Sequence, residues 1–169
     1  MYTTATGVLL AMAIAAMATP ALAGDCAAAA RSAMLTSGHQ PRSLISTKTD
    51  AQGKQSVTRQ IQTETDKFVQ LPNGQWYSMG IAIKDLNDDT ATMKLTCRSS
   101  ASDLLNGEPT VVYQLHTEVE GFVTDNKTWV SAKNLILKSE TSEDGARIST
   151  LYDYGHVTPP ANAKPMGVK

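Results

Sequence analysis

The chain has 169 residues, 15 Lys plus Arg against 16 Asp plus Glu, and a formal net charge of −1. That balance, with Lys48, Lys54 and Arg59 as the nearest thing to a basic cluster, offers no footprint for nucleic acid. Two Trp, five Tyr and two Phe in a chain rich in Ser, Thr, Asn and Gln predict one domain with a thin core, such as a sheet with one wet face.

Residues 7 to 18, GVLLAMAIAAMA, form an apolar run too short for a stable bilayer span and of the length of a signal h-region. Pro20 breaks the run, and Ala21-Leu22-Ala23 supplies the small residues a signal peptidase accepts. Residues 1–23 are therefore expected to be a secretory signal peptide cleaved before Gly24. Asp25 just before Cys26 argues against lipoprotein processing, which wants a small neutral residue there. No later segment is long and apolar enough to span a membrane, so the mature chain is expected in the periplasm or the medium.

Cys26 and Cys97 are the only cysteines, and an even count in an oxidising compartment without metal-ligand spacing reads as a disulfide. Closing a loop of about 70 residues is expected to stabilise the fold by roughly 4 kcal/mol. Residues 25–36, DCAAAARSAMLT, predict a helix capped by Asp25 and ended by Ser37-Gly38. Its small apolar stripe, Cys26, Ala29, Ala30, Ala33 and Met34, is expected to pack on a sheet.

After Pro41 the chain reads as strands and turns. Ser43–Lys48 and Ser56–Glu64 flank Asp50-Ala51-Gln52-Gly53, and Lys67–Leu71 and Gln75–Met79 flank Pro72-Asn73-Gly74, giving two hairpins. Thr90–Cys97 alternates with Ala91, Met93, Leu95 and Cys97 on one face. Thr110–Glu120 alternates with Val111, Tyr113, Leu115 and Val119 on one face and Gln114, His116, Glu118 and Glu120 on the other. Asp125-Asn126 is expected to turn the chain into Thr128–Ser131, and Leu135–Thr141 pairs across Glu143-Asp144-Gly145 with Arg147–Tyr154. A single domain over 24–158 and a disordered tail over 159–169 follow.

No residue set predicts catalysis, a cofactor or a metal. Asp85, Asn87, Asp88 and Asp89 in KDLNDDT are oxygen-rich, but the EF-hand pattern fails and a solvated turn is the better reading. His39, His116 and His156 are dispersed, and no nucleophile elbow is present. Glu118 and Glu120 stand about 7 Å apart on one strand face, a separation two glycosidase carboxylates could use and wet strands commonly show. Trp76, Tyr77, Tyr113, Trp129, Tyr152 and Tyr154 read as core or cross-strand pairs.

Residues 129–160 carry a resemblance. Trp129-Val130-Ser131, Leu135-Ile136-Leu137-Lys138-Ser139-Glu140, Asp144-Gly145 and Leu151-Tyr152-Asp153-Tyr154, with Val157 and Pro159 behind, resemble the C-terminal hairpin of the LolA-like lipoprotein-carrier and lipoprotein-sorting superfamily. Ile136 stands where the family usually has proline, and the chain is shorter with fewer helices. The resemblance implies an α+β fold in which one N-terminal helix packs on a curved, mostly antiparallel sheet, an incomplete barrel. It also implies an apolar groove for a lipid or acylated ligand, whose candidate lining is Met93, Leu95, Tyr113, Leu115, Trp129, Leu137 and Tyr152. Cystatin-like and NTF2-like sheets remain alternatives. So does a periplasmic inhibitor or immunity protein that binds an enzyme partner through exposed loops at KDLNDDT and DLLNGEP (103–109).

Overall fold

The computed structural model describes residues 23–83, 93–119, 121–143 and 145–166. The expected signal segment up to Leu22, the stretch KDLNDDT and Glu120 lie outside the described residues.

Among the described residues one helix, α1 (Ala23–Gly38), precedes ten strands: β1 (Arg42–Thr49), β2 (Gln55–Gln62), β3 (Lys67–Gln70), β4 (Trp76–Ser78), β5 (Lys94–Leu105), β6 (Glu108–Val119), β7 (Phe122–Ser131), β8 (Ile136–Glu143), β9 (Ala146–Asp153) and β10 (Lys164–Pro165). They form a single open sheet in the order β10-β4-β3-β2-β1-β9-β8-β7-β6-β5. Two antiparallel meanders, β1 to β4 and β5 to β9, are joined where β1 pairs with β9, and only the short β10 runs parallel to its neighbour β4. The chain is α+β, one helix on a mostly antiparallel sheet, as the residue pattern predicts.

The helix forms because its interior is alanine-rich and carries no β-branched residue before Thr36. Cys26, Ala30, Ala33 and Ser37 recur every three or four residues, and all four are buried. Cys26 and Ala30 pack on Cys97 of β5 and Leu115 of β6, while Ala33 packs on Val130 of β7 and Ile136 of β8. The helix therefore crosses the sheet diagonally. Cys26 and Cys97 are bridged, with Cα atoms 5.8 Å apart, which ties the first turn of α1 to the edge strand β5. The far end is held by polar contacts. The Ile136 N–H donates to Ser37 Oγ at 2.8 Å, and the Arg42 guanidinium donates to the carbonyls of Ser37, Gly38 and Gln40, the free acceptors at a helix C-terminus.

Three expectations are corrected. DLLNGEP is not an exposed loop: Asp103 to Leu105 end β5, Glu108-Pro109 begin β6, and only Asn106-Gly107 turn the chain. Both turn residues have positive φ, 53° and 84°, as a two-residue type I′ hairpin requires. Asp125-Asn126 is not a turn but lies inside β7, paired with His116 and Leu115. Its turn-forming residue types are overridden by cross-strand hydrogen bonds that satisfy both side chains. The tail from Pro159 is ordered as far as Met166, because Lys164 and Pro165 extend the sheet beside β4. Beyond the stretch whose alternation the sequence shows, β5 has a register shift between Cys97 and Ser99, so the phase changes: Cys97 and then Ser100, Ser102 and Leu104 share the face of α1.

Candidate functional site

Because α1 runs diagonally, it divides one face of the sheet into two flanks of opposite chemistry. Toward the Asn106-Gly107 hairpin lies a cavity of about 570 Å3 whose walls include Leu104, Pro109, Val111, Val130 and Ala132. Ser102, Val111 and Val130 stand in register across β5, β6 and β7, which sets the floor. Leu104 is 67% exposed and Val111 is 40% exposed, although both belong to the face that carries the core. Apolar side chains left wet beside a buried core mark a surface fit to accept an apolar group.

On the other flank is a cavity of about 360 Å3, lined by Met34, Arg42, Asn126, Thr128, Ser139, Thr141 and Tyr152 among others. Its side chains form a hydrogen-bonded set. Thr141 Oγ1 donates to Asn126 Oδ1 at 2.6 Å, Asn126 Nδ2 donates to Thr117 Oγ1 at 3.2 Å, and the hydroxyls of Ser139 and Tyr152 are 3.2 Å apart. Strand register extends this chemistry: Thr58, Ser46, Thr150, Ser139, Thr128, Tyr113 and Ser100 are successive partners across β2, β1, β9, β8, β7, β6 and β5. Every member of that row bears a hydroxyl.

The predicted groove residues do not form one lining. Leu115 is 1% exposed and lies beneath α1, so it is core rather than groove wall. Leu95 and Tyr113 pack half-buried against the same cluster, and Met93 contributes its backbone carbonyl, which accepts from the Arg31 guanidinium at 2.9 Å. Tyr152 borders the polar cavity. Leu137 sits where the β7–β8 register shifts and lines a separate cavity of about 500 Å3 with Leu105, Leu135 and Leu151. Trp129 is on the opposite face from Tyr113, because it pairs with Val112. Period-two alternation within β7 puts Trp129 with Asp125 and Lys127, and Val130 with the helix. Leu104 and Val111 were missed: the first sat in a supposed loop, and nothing in sequence marks the register shift that places it beside the second.

The face away from α1 is an ordered charge network. The Trp129 indole N–H donates to Asp103 Oδ2 at 2.9 Å, and the ammonium groups of Lys127 and Lys138 lie 4.5 and 4.4 Å from the ring centroid. The hydrogen bond from Trp129 holds the Asp103 carboxyl below the usual carboxylate range. Burial pushes Glu140 up, but hydrogen bonds from Lys138 and Arg147 outweigh it and hold this carboxyl low as well. His116 Nδ1 stands 2.9 Å from Asp125 Oδ1, with Arg98 at 3.3 Å, and that hydrogen bond lowers Asp125. Glu118 is paired with Lys94 at 3.0 Å.

The Trp129–Asp103 contact predicts a pH-dependent signal. Since Asp103 is depressed in the folded chain, its contribution is present at neutral pH and is lost as pH falls through the lowered value. In a Trp76→Phe background, Trp129 fluorescence is expected to stay constant from neutrality down into the ordinary Asp range and to change only below it. The same titration of Asp103→Asn is expected to show no such step.

No family model matches the sequence, and no curated protein matches it. Among solved structures, LprF from Mycobacterium bovis aligns over 86% of this chain and 100% of its own, at TM-score 0.50 and 12% identity. The Mycobacterium tuberculosis lipoprotein LppX aligns over 80% of this chain and 98% of its own, at TM-score 0.49 and 8% identity. A LolA superfamily protein from Nitrosomonas europaea aligns over 78% and 91%, at TM-score 0.35 and 8% identity. The full-length match to LprF is a likeness of fold, and this chain shares that fold.

Proposed function

We propose that this chain is an exported, non-enzymatic binding protein whose curved sheet, an incomplete barrel around α1, holds the apolar part of a lipid or acylated ligand. The observation that carries the reading is the apolar trough beside the helix, with Leu104 and Val111 exposed on the core-bearing face. Its volume of about 570 Å3 falls in the range of small-molecule sites, roughly 300–1,000 Å3. The resemblance at residues 129–160 to the LolA-like superfamily implies an apolar concavity that holds acyl chains. The Cys26–Cys97 bridge and the expected signal peptide suit an oxidising compartment outside the cytoplasm.

The test is native mass spectrometry and lipid extraction of protein purified from the periplasm. Bound lipid is expected on the wild-type chain and about tenfold less on a Leu104→Asp, Val111→Asp double variant, since a buried carboxylate against an acyl chain costs more than 1.4 kcal/mol. Both residues are wet in the free protein, so the variant is expected to keep the wild-type circular dichroism. Reproducible absence of lipid from the wild type, or equal lipid on both proteins, overturns the proposal.

A further inference from the structure

The polar flank of α1 has a chemistry of its own. Its cavity of about 360 Å3 is walled by the hydroxyl, amide and phenol groups of Ser37, Asn126, Thr128, Ser139, Thr141 and Tyr152 together with the apolar Met34 and Ile136, and the one charged side chain bordering it, Arg42, is already engaged by three carbonyls at the end of the helix. A charged ligand would lose its hydration here and meet no free counter-charge. A neutral polar ligand meets donors and acceptors together, because each Ser or Thr hydroxyl offers one donor and two lone pairs.

The hydroxyl row gives that ligand a shape. From the cavity at Thr128 and Ser139 the row continues through Thr150 and Ser46 to Thr58, beyond the helix, and neighbouring strands lie about 4.8 Å apart. Hydroxyls therefore repeat at one strand spacing along a line perpendicular to the strands, close to the length of one ring in an extended β-linked glycan. The row is held in place beforehand: the hydroxyls of Ser46 and Thr150 are 2.9 Å apart, and Ser139 is tied to Tyr152. Tyr152 stands two positions along β9 from Thr150, on the same face, and brings its ring to the cavity wall, where the C–H face of a sugar can pack.

We infer that this flank is a binding site for a neutral linear oligosaccharide laid across β8, β9, β1 and β2. The site is separate from the apolar trough and does not depend on it. Among the described residues no carboxylate or free cation lines the cavity, and Arg42 is taken up by the helix C-terminus, so the site favours neutral saccharides over acidic ones, and the width of four strands accommodates three or four rings.

The experiment titrates the 15N-labelled mature chain with cellotetraose, tetraacetylchitotetraose and a galacturonic acid tetramer, followed by amide shifts. Saturable shifts at Ser46, Ser139 and Thr150 are expected with at least one neutral probe at millimolar concentration or below, and weaker ones with the acidic tetramer. Thr150→Val and Thr58→Val keep the shape of exposed or half-exposed sites while removing hydroxyls, and each is expected to weaken binding about fivefold. Leu104→Asp, on the other flank, is expected to leave it unchanged, so failure of the lipid reading and failure of this one are told apart. No saturable shift with either neutral probe, tighter binding of the acidic one, or unaltered affinity in both valine variants overturns the inference.

Discussion

Replacing Cys26 and Cys97 together by alanine is expected to destabilise the chain by roughly 4 kcal/mol, a large share of the ~5–15 kcal/mol that holds a domain of this size. The bridge spans 71 positions of sequence, so opening it frees a long loop in the unfolded chain. It also holds α1 where the hydrophobic effect is weakest. The buried stripe of the helix is Cys26, Ala30, Ala33 and Ser37, side chains that remove little apolar area from water, and alanine burial contributes far less than the ~1.5–3 kcal/mol of a leucine or phenylalanine. Urea unfolding of the double variant, and of the wild type with and without reductant, checks this. A midpoint that moves neither with reductant nor with the double substitution refutes it.

Leu115→Ala is expected to cost about 2–5 kcal/mol with the bridge intact. Among the described residues Leu115 is the one large side chain that is essentially sealed from solvent, at 1% exposure. It fills the space between the helix and the disulfide, touching the cluster of Cys26, Ala30 and Cys97. Truncation leaves a void that neighbouring alanines are too small to fill. Because Leu115 and the bridge share one cluster, the losses are expected not to add: the triple variant should lose measurably less than the two separate losses combined. Denaturation of the three proteins under one condition measures the coupling, and strict additivity contradicts the shared cluster.

Much of this arrangement was legible in the residues. Alternation located β1 to β4, β6, β8 and β9 within a few residues, and the alanine run located the helix and its buried stripe. Both are local properties, since a strand or helix writes its period into consecutive side chains. The pairing of Cys26 with Cys97 followed from count and compartment. The turn assignments that failed did so for one reason: Asp125-Asn126 and DLLNGEP have turn-forming composition, but pairing with β6 and β7 satisfies their side chains within the sheet.

The candidate site was legible only in part. Cys26 to Met34 and the alternation of β6 already placed Leu115 and Tyr113 toward the helix, yet nothing local distinguishes a groove wall from a core residue, and Leu115 proved to be core. Trp129 was placed among the groove residues because its neighbours across the sheet were unknown, and strand register puts it on the face away from the helix. The hydroxyl row from Thr58 to Ser100 is invisible in sequence, since its seven members are scattered over more than 90 residues and meet only through strand register. Composition and periodicity decide what each segment is, because those depend on neighbours along the chain. Which side chains share a face, and so what the protein can hold, depends on strand order, on the register shift after Cys97 and on the diagonal path of α1, which arise only when distant segments pack.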